Sequence, residues 1–171
     1  FIVGSEMEPL TRVRSASGVD PAVSELIALA EDVREVLGPA TEISYSANWS
    51  EYGAHVLDPQ AQEVRFPLDP LWASNAIDFV GIDYYAPLAD WRDGATHLDA
   101  ELAESIYDPD YLRGNLRGGE FYDFYYADGA ARRAQTRTPI ADDLGKPWIF
   151  RAKDLWNWWA EPHYERVDGE E

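Results

Sequence analysis

Cysteine is absent from the 171 residues, so the chain has neither disulfides nor thiolate metal sites, although the absence does not identify a compartment. Histidine is scarce: His55, His97 and His163 stand far apart, and a His-based metal centre would need all three to converge. Solvated or hydrogen-bonded histidines are the plainer reading, and nothing in the sequence requires a metal or another cofactor. No apolar run approaches the roughly 20 residues that span a bilayer, and no basic-then-apolar segment of signal type opens the chain. Basic residues are outnumbered, 14 Lys and Arg against 32 Asp and Glu, for a formal charge of −18. Such a surface repels phosphate backbones and anionic lipid, which excludes nucleic acid and membrane insertion as partners.

What is present is a globular composition. Hydrophobic residues make up 46% of the chain, which is not the make-up of a disordered polymer, and the length suits one domain with a sizeable core. Aromatics reach 13%, with seven Trp and ten Tyr, enough flat rings for a core, a sugar-binding cleft or a protein interface. Composition does not choose among the three.

The opening "FIVGSEM" runs Phe1, Ile2, Val3 and Gly4 straight into Ser5 and Glu6, the pattern of a buried strand delivering a carboxylate to its C-terminal end. "PLTRVRSASGVD" then reads as a loop. Asp20-Pro21 supplies an N-cap and an N1 proline, and Val23, Leu26, Ile27, Ala30, Val33 and Leu37 recur at helical spacing until Gly38-Pro39, predicting a helix over 21–37 whose apolar face packs on a sheet. Ile43 and Tyr45 alternate with Ser44 and Ser46, a strand over about 43–47 that ends in Ser46, Asn48 and Trp49. A short hairpin or turn is expected through residue 67, and a helical turn at "DPLWASN". A third strand, Phe79 to Ile82, ends in Asp83-Tyr84-Tyr85. Beyond it the sequence predicts a helix around 97–106, a helix within 118–137 broken near Gly129, and a strand from Pro147 to Phe150. The tail "EPHYERVDGEE" carries no core pattern. Strand, helix, strand, strand with polar and aromatic groups at each C-terminal end is the layout of an α/β protein with a parallel sheet.

Parallel α/β barrels place reacting groups where strands end. Glu6, Asn48 with Trp49, and Asp83 with Tyr84 and Tyr85 all fall there. An acid buried near aromatic rings at such a position has its pKa raised and can protonate a leaving-group oxygen, as in glycosidases. Trp and Tyr rings stack on sugar faces, and Asn and Asp bind hydroxyls. Each residue also has a plainer reading. A Glu after a strand is more often a loop or helix-cap carboxylate, Asp83 can satisfy buried backbone donors, Trp156 and Trp159 can serve packing, and Arg132-Arg133 can be a solvated helix face.

The segments "YSANWSEY", "PLDPLWAS", "AIDFVGIDYYAPLADWRDG", "HLDA", "SIYDPDYLRGN", "GGEFYDFYYA", "RTPI" and "GKPWIFRAKDLWNWW" together resemble the TIM-barrel-like domain of gene transfer agent tail proteins, host-specificity or baseplate components of phage-like particles. The resemblance covers nearly the whole chain. It implies α/β architecture, part of a (β/α)8 barrel of glycoside hydrolase type, with "FIVGSEM" as the fourth strand, 43–47 as the fifth and 79–82 as the sixth, so that three strands are expected ahead of Phe1. It implies Glu6 as the acid/base, with Ser46, Asn48, Trp49, Asp83, Tyr84, Tyr85 and Trp91 holding sugar. A later strand resembling "KPIxFTE" carries the family's second carboxylate. In "KPWIFRAKD" that position is Ala152, which cannot attack a sugar carbon, and Asp154 lies two residues beyond. Either the nucleophile lies past Glu171 or hydrolysis has been lost. The implied partners are host envelope polysaccharide and other tail or baseplate proteins. The implied location is the particle tail, in the bacterial cytoplasm during assembly and outside after release. Hydrolysis and a non-catalytic binding or structural role both stay open at this point.

Overall fold

The computed structural model describes residues 1–58, 63–94 and 96–171. In chain order the elements are β1 (Ile2–Ser5), α1 (Glu8–Thr11), α2 (Pro21–Leu37), β2 (Ser44–Asn48), β3 (His55–Asp58), β4 (Glu63–Arg65), α3 (Asp69–Trp72), β5 (Gly81–Asp83), α4 (Pro109–Gly114), β6 (Phe124–Tyr125), α5 (Gly129–Ala134), β7 (Thr138–Pro139) and α6 (Leu155–Ala160). They form two compact units, Phe1–Tyr84 with His163–Glu171, and Tyr85–Pro162.

The first unit is built on a parallel sheet of three strands in the order β1-β2-β5. Ser5 lies opposite Ser46, and Asn48 opposite Asp83, so the C-terminal ends of all three strands share one edge. Gly81 is required where β5 meets β2, because a Cβ there would lie 2.6 Å from the Tyr45 carbonyl oxygen. The sheet does not close into a barrel among the described residues. Helix α2 spans the range its periodicity predicts, and its buried Val23, Leu26 and Ala30 form the apolar stripe. Ala30 packs with Ile43 and Ala76, and Val3, Val33 and Ile77 border that cluster. Asp20 stands at the N-cap but caps nothing; its carboxylate takes Arg14 instead, at 3.0 and 3.1 Å. Below the sheet, Arg34 donates to Thr41 O (2.5 Å) and pairs with Asp78, which accepts from Ile43 N at 2.6 Å. These bonds hold the Asp78 carboxyl below its ordinary range.

Several expectations need correction. The segment after Glu6 is not all loop: Glu8–Thr11 forms one helical turn, with a proline in its first turn where the missing N–H costs nothing. The hairpin exists as antiparallel β3 and β4, with its connecting residues 59–62 outside the described residues. The tail is docked rather than loose. Arg166 is fully buried and exchanges backbone hydrogen bonds with Val64 at 2.9 and 3.1 Å, Glu165 pairs with Arg14, and His163 stacks on Phe66 with ring centroids 4.5 Å apart. Its anchors are mostly charged and ring contacts, which leave no apolar period to read.

In the second unit the helix expected at 97–106 is reduced to a 3-10 turn, Leu98–Glu101, in which His97 Nδ1 accepts from Ala100 N. Gly129 does not break a helix; it begins α5, because Asp128 caps that end through Ala130 N and Ala131 N, both at 2.8 Å. The residues before it turn instead, with Phe121 at φ +65° and β6 paired to β7. Pro147–Phe150 is a 3-10 turn and not a strand. Trp148 and Ile149, adjacent in sequence, are both buried, which a turn permits and a one-sided strand does not.

Candidate functional site at the strand ends

Strand β1 runs out at Ser5, and the next residue leaves the sheet abruptly. Glu6 adopts φ +51°, a left-handed conformation that costs a non-glycine residue on the order of 1–3 kcal/mol and persists only where its surroundings enforce it. The enforcing contacts are present on both sides. Glu6 N donates to Ser46 O at 2.8 Å, and Met7 N donates to the Tyr45 hydroxyl at 2.7 Å. That hydroxyl donates in turn to Glu51 Oε1 at 2.8 Å. Burial, with the Glu51 carboxylate beside it, pushes the Tyr45 phenol up, so it remains a donor. Glu51 is 3% exposed and also accepts from Thr11 Oγ1 (2.7 Å) and Asn48 N (3.1 Å). One buried carboxylate therefore ties the turn after β1 to the end of β2. Sequence reading passed over Glu51; its signal was a Glu three residues after Asn48, the reach at which a carboxylate returns to a backbone N–H.

The Glu6 side chain is exposed, so the buried, ring-lined setting expected of it is absent. It is nonetheless directed. Asn48 Nδ2 donates to Glu6 Oε1 at 2.9 Å, and the Asn48 amide is oriented by its other end, where Oδ1 accepts from Ser50 N at 3.0 Å. On the next strand Asp83 accepts from Ser5 Oγ at 3.4 Å, while its backbone oxygen accepts from Trp49 N at 3.1 Å. Ser46 shares a face of β2 with Asn48 by strand alternation. Tyr84 follows Asp83, and burial raises its phenol pKa. Thus Glu6, Ser46, Asn48, Trp49, Asp83 and Tyr84 meet along the C-terminal edge of one sheet.

Tyr85 and Trp91 belong to the second unit. Tyr85 is 71% exposed, whereas Trp91 packs edge-on against His97 and Tyr111 at centroid distances of 4.6 and 5.8 Å. Among the described residues no group of three or more His, Cys, Asp or Glu is placed to hold a metal ion. Among the described residues no helix is long and apolar enough to cross a membrane.

The edge offers a carboxylate with an amide donor beside it and a second carboxylate on the same sheet, chemistry that binds hydroxyls and can pass a proton to an oxygen. No curated protein and no solved structure matches the chain. A family model described as the GTA TIM-barrel-like domain matches residues 1–171, its whole length. The chain belongs to the family of gene transfer agent (GTA) TIM-barrel-like domains.

Proposed function

We propose that the strand edge is a carbohydrate site of glycosidase type, acting on a host cell-envelope polysaccharide in the tail of a phage-like particle. The observation that carries this reading is the enforced left-handed Glu6, aimed by Asn48 at the C-terminal edge of the parallel sheet. Fold alone would not carry it. On this reading β1, β2 and β5 correspond to the fourth, fifth and sixth strands of a glycoside hydrolase barrel. Glu6 protonates the leaving-group oxygen, Asn48, Ser46 and Asp83 bind hydroxyls, and the rings of Trp49 and Tyr84 border the sugar. Tyr85 and Trp91 are proposed as further sugar contacts.

A second reading, a non-catalytic glycan-binding or structural barrel of the tail tip, is favoured by one observation. Retaining hydrolysis needs a second carboxylate about 5–5.5 Å from the first. The segment that resembles the nucleophile strand is a 3-10 turn, Pro147–Phe150, with Ala152 at the nucleophile position two residues beyond it, and Asp154 is occupied at the N-terminus of α6 by Asn157 and Arg151.

Reducing-end release from purified envelope polysaccharides, followed for the wild type and Glu6→Gln, separates the two. Hydrolysis predicts release that falls about 10²–10⁴-fold in the variant while polysaccharide binding persists. Binding without release in the wild type rejects catalysis and leaves the second reading.

A further inference from the structure

The second unit encloses a cavity of about 240 Å³ that plays no part in the strand-edge site. Charges of both signs line it, and most are withdrawn from water: Asp90, Asp99, Glu120 and Lys153 are each 5% exposed or less. A buried charge is tolerated only when matched, so the matching reveals what is left over. Asp90 is met by Arg92 and Arg137, by the Tyr126 hydroxyl (2.5 Å) and by Gln135 Nε2 (3.0 Å). Asp99 is met by Arg137 and Tyr111, and Glu120 by a two-point contact from Arg132.

Lys153 differs. Its ammonium has three donors, of which two go to Asn115 O and Gly118 O, each at 3.0 Å. Among the described residues no carboxylate lies within ion-pair distance of it. Asp123 is its counterpart. Asp123 is exposed at the cavity; its Oδ2 accepts from Gly119 N at 2.8 Å, and Oδ1 has no hydrogen-bond partner among the described residues and is open to solvent. Lys153 and Asp123 thus grip the two polar ends of one peptide group, the Gly118 carbonyl and the Gly119 N–H. Gly119 sits at φ +71°, and a Cβ there would lie 2.7 Å from Asn115 Oδ1, so a side chain would be strained and would displace the Asn115 amide. Arg137, also on the wall, is committed to Asp90 and Asp99 and lies over the Phe124 ring, with its guanidinium carbon 4.2 Å from the ring centroid.

We infer that this cavity binds one neutral, hydroxyl-rich ring of monosaccharide size, with Lys153 donating to a ring oxygen and Asp123 accepting from a hydroxyl. The charges decide the class. Arginines neutralise Asp90, Asp99 and Glu120, and Lys153 and Asp123 offset each other, so the wall carries no surplus to attract an ion of either sign. What remains is a donor and an acceptor together, and hydroxyl groups serve both at once. Phe124, Leu102 and Pro87 provide apolar wall for the carbon face of a ring. The volume lies below the roughly 300–1,000 Å³ of pockets for drug-sized ligands, which limits the occupant to a single ring. This site is separate from the Glu6 reading and does not rest on it.

The test is a ¹H–¹⁵N correlation titration of the protein with D-glucose, D-galactose and N-acetylglucosamine, and separately with sodium acetate. The Gly119 amide, bonded to Asp123, is the reporter. At least one sugar is expected to shift the Gly119, Asp123 and Lys153 signals saturably. Affinity should weaken about 10-fold or more in Lys153→Met, and likewise in Leu102→Trp, which blocks the cavity from an exposed position and decides the matter if Lys153→Met does not fold. Glu6→Gln should leave it unchanged. No saturable shift at these amides with any of the sugars overturns the inference, as does tighter saturation by acetate, which would make the cavity an anion site. Shifts that survive both cavity variants also overturn it. Saturable shifts at the Asn48 and Asp83 amides with none at Gly119 would place the sugar at the strand edge, rejecting this site while supporting the other.

Discussion

Burial pushes the Lys153 pKa down from its ordinary value of 10.5 to about 8, with Glu120 and Asp123 opposing the change, and this makes stability depend on pH in a defined direction. Below pH 8 the ammonium is charged in both the folded and unfolded chain, and the folded state bears the full desolvation cost. Between about pH 8 and 10.5 the unfolded chain still binds the proton that the folded chain has released, so stability rises with pH. Each pH unit in that window is worth up to about 1.4 kcal/mol, and the integrated gain from pH 7 to 10 is about 2–3 kcal/mol. Above pH 10 the trend reverses, because Tyr45, Tyr84, Tyr111 and Tyr126 are held above the ordinary phenol range and only the unfolded chain then ionises. The assay is urea unfolding followed by tryptophan fluorescence at half-unit steps from pH 7 to 10. Trp148 and Trp158 are buried in the same unit as Lys153, so the signal reports on its surroundings. The difference between the wild type and Lys153→Met, in which the tyrosine contributions cancel, should climb by about 2–3 kcal/mol from pH 7 to 10. Identical slopes in the two proteins would refute the assignment of a buried ammonium without an ion-pair partner.

Glu51→Ala strands the Thr11 hydroxyl, the Tyr45 hydroxyl and the Asn48 N–H, and is expected to cost about 3 kcal/mol or more in denaturant unfolding. Because the same carboxylate braces the turn that carries Glu6, the Asn48 side-chain amide signals in NMR should also lose their single, ordered position. Arg137→Met leaves Asp90 and Asp99 buried without their shared cation, at a cost of about 3–5 kcal/mol. Burial alone would raise both carboxyls, yet hydrogen bonds from Tyr126, Tyr111, Arg137 and Gln135 hold them below 3.8. Their contribution is therefore complete above that value and is lost as pH falls through the lower folded pKa. The acid-unfolding midpoint of Arg137→Met, followed by circular dichroism, should move to higher pH.

Local pattern was sufficient wherever one element buries one face against the core. The 3.6-residue recurrence of Val23, Leu26 and Ala30 places α2, and Ile43 with Tyr45 places β2, because an apolar stripe has a single way to leave water; the strand expected over Phe79 to Ile82 instead runs Gly81–Asp83, since Phe79 stays exposed. From those strands the gathering of Glu6, Asn48 and Asp83 on one edge follows by geometry. Tertiary structure decided what rests on pairing between distant, mostly polar residues. The docking of the tail through Arg166 and Glu165, the brace of Glu51 beneath Glu6, and the leftover donor of Lys153 in its cavity leave no periodic trace. A charge is legible in sequence, but whether it is matched, and so what it is free to bind, depends on partners brought together only by the fold.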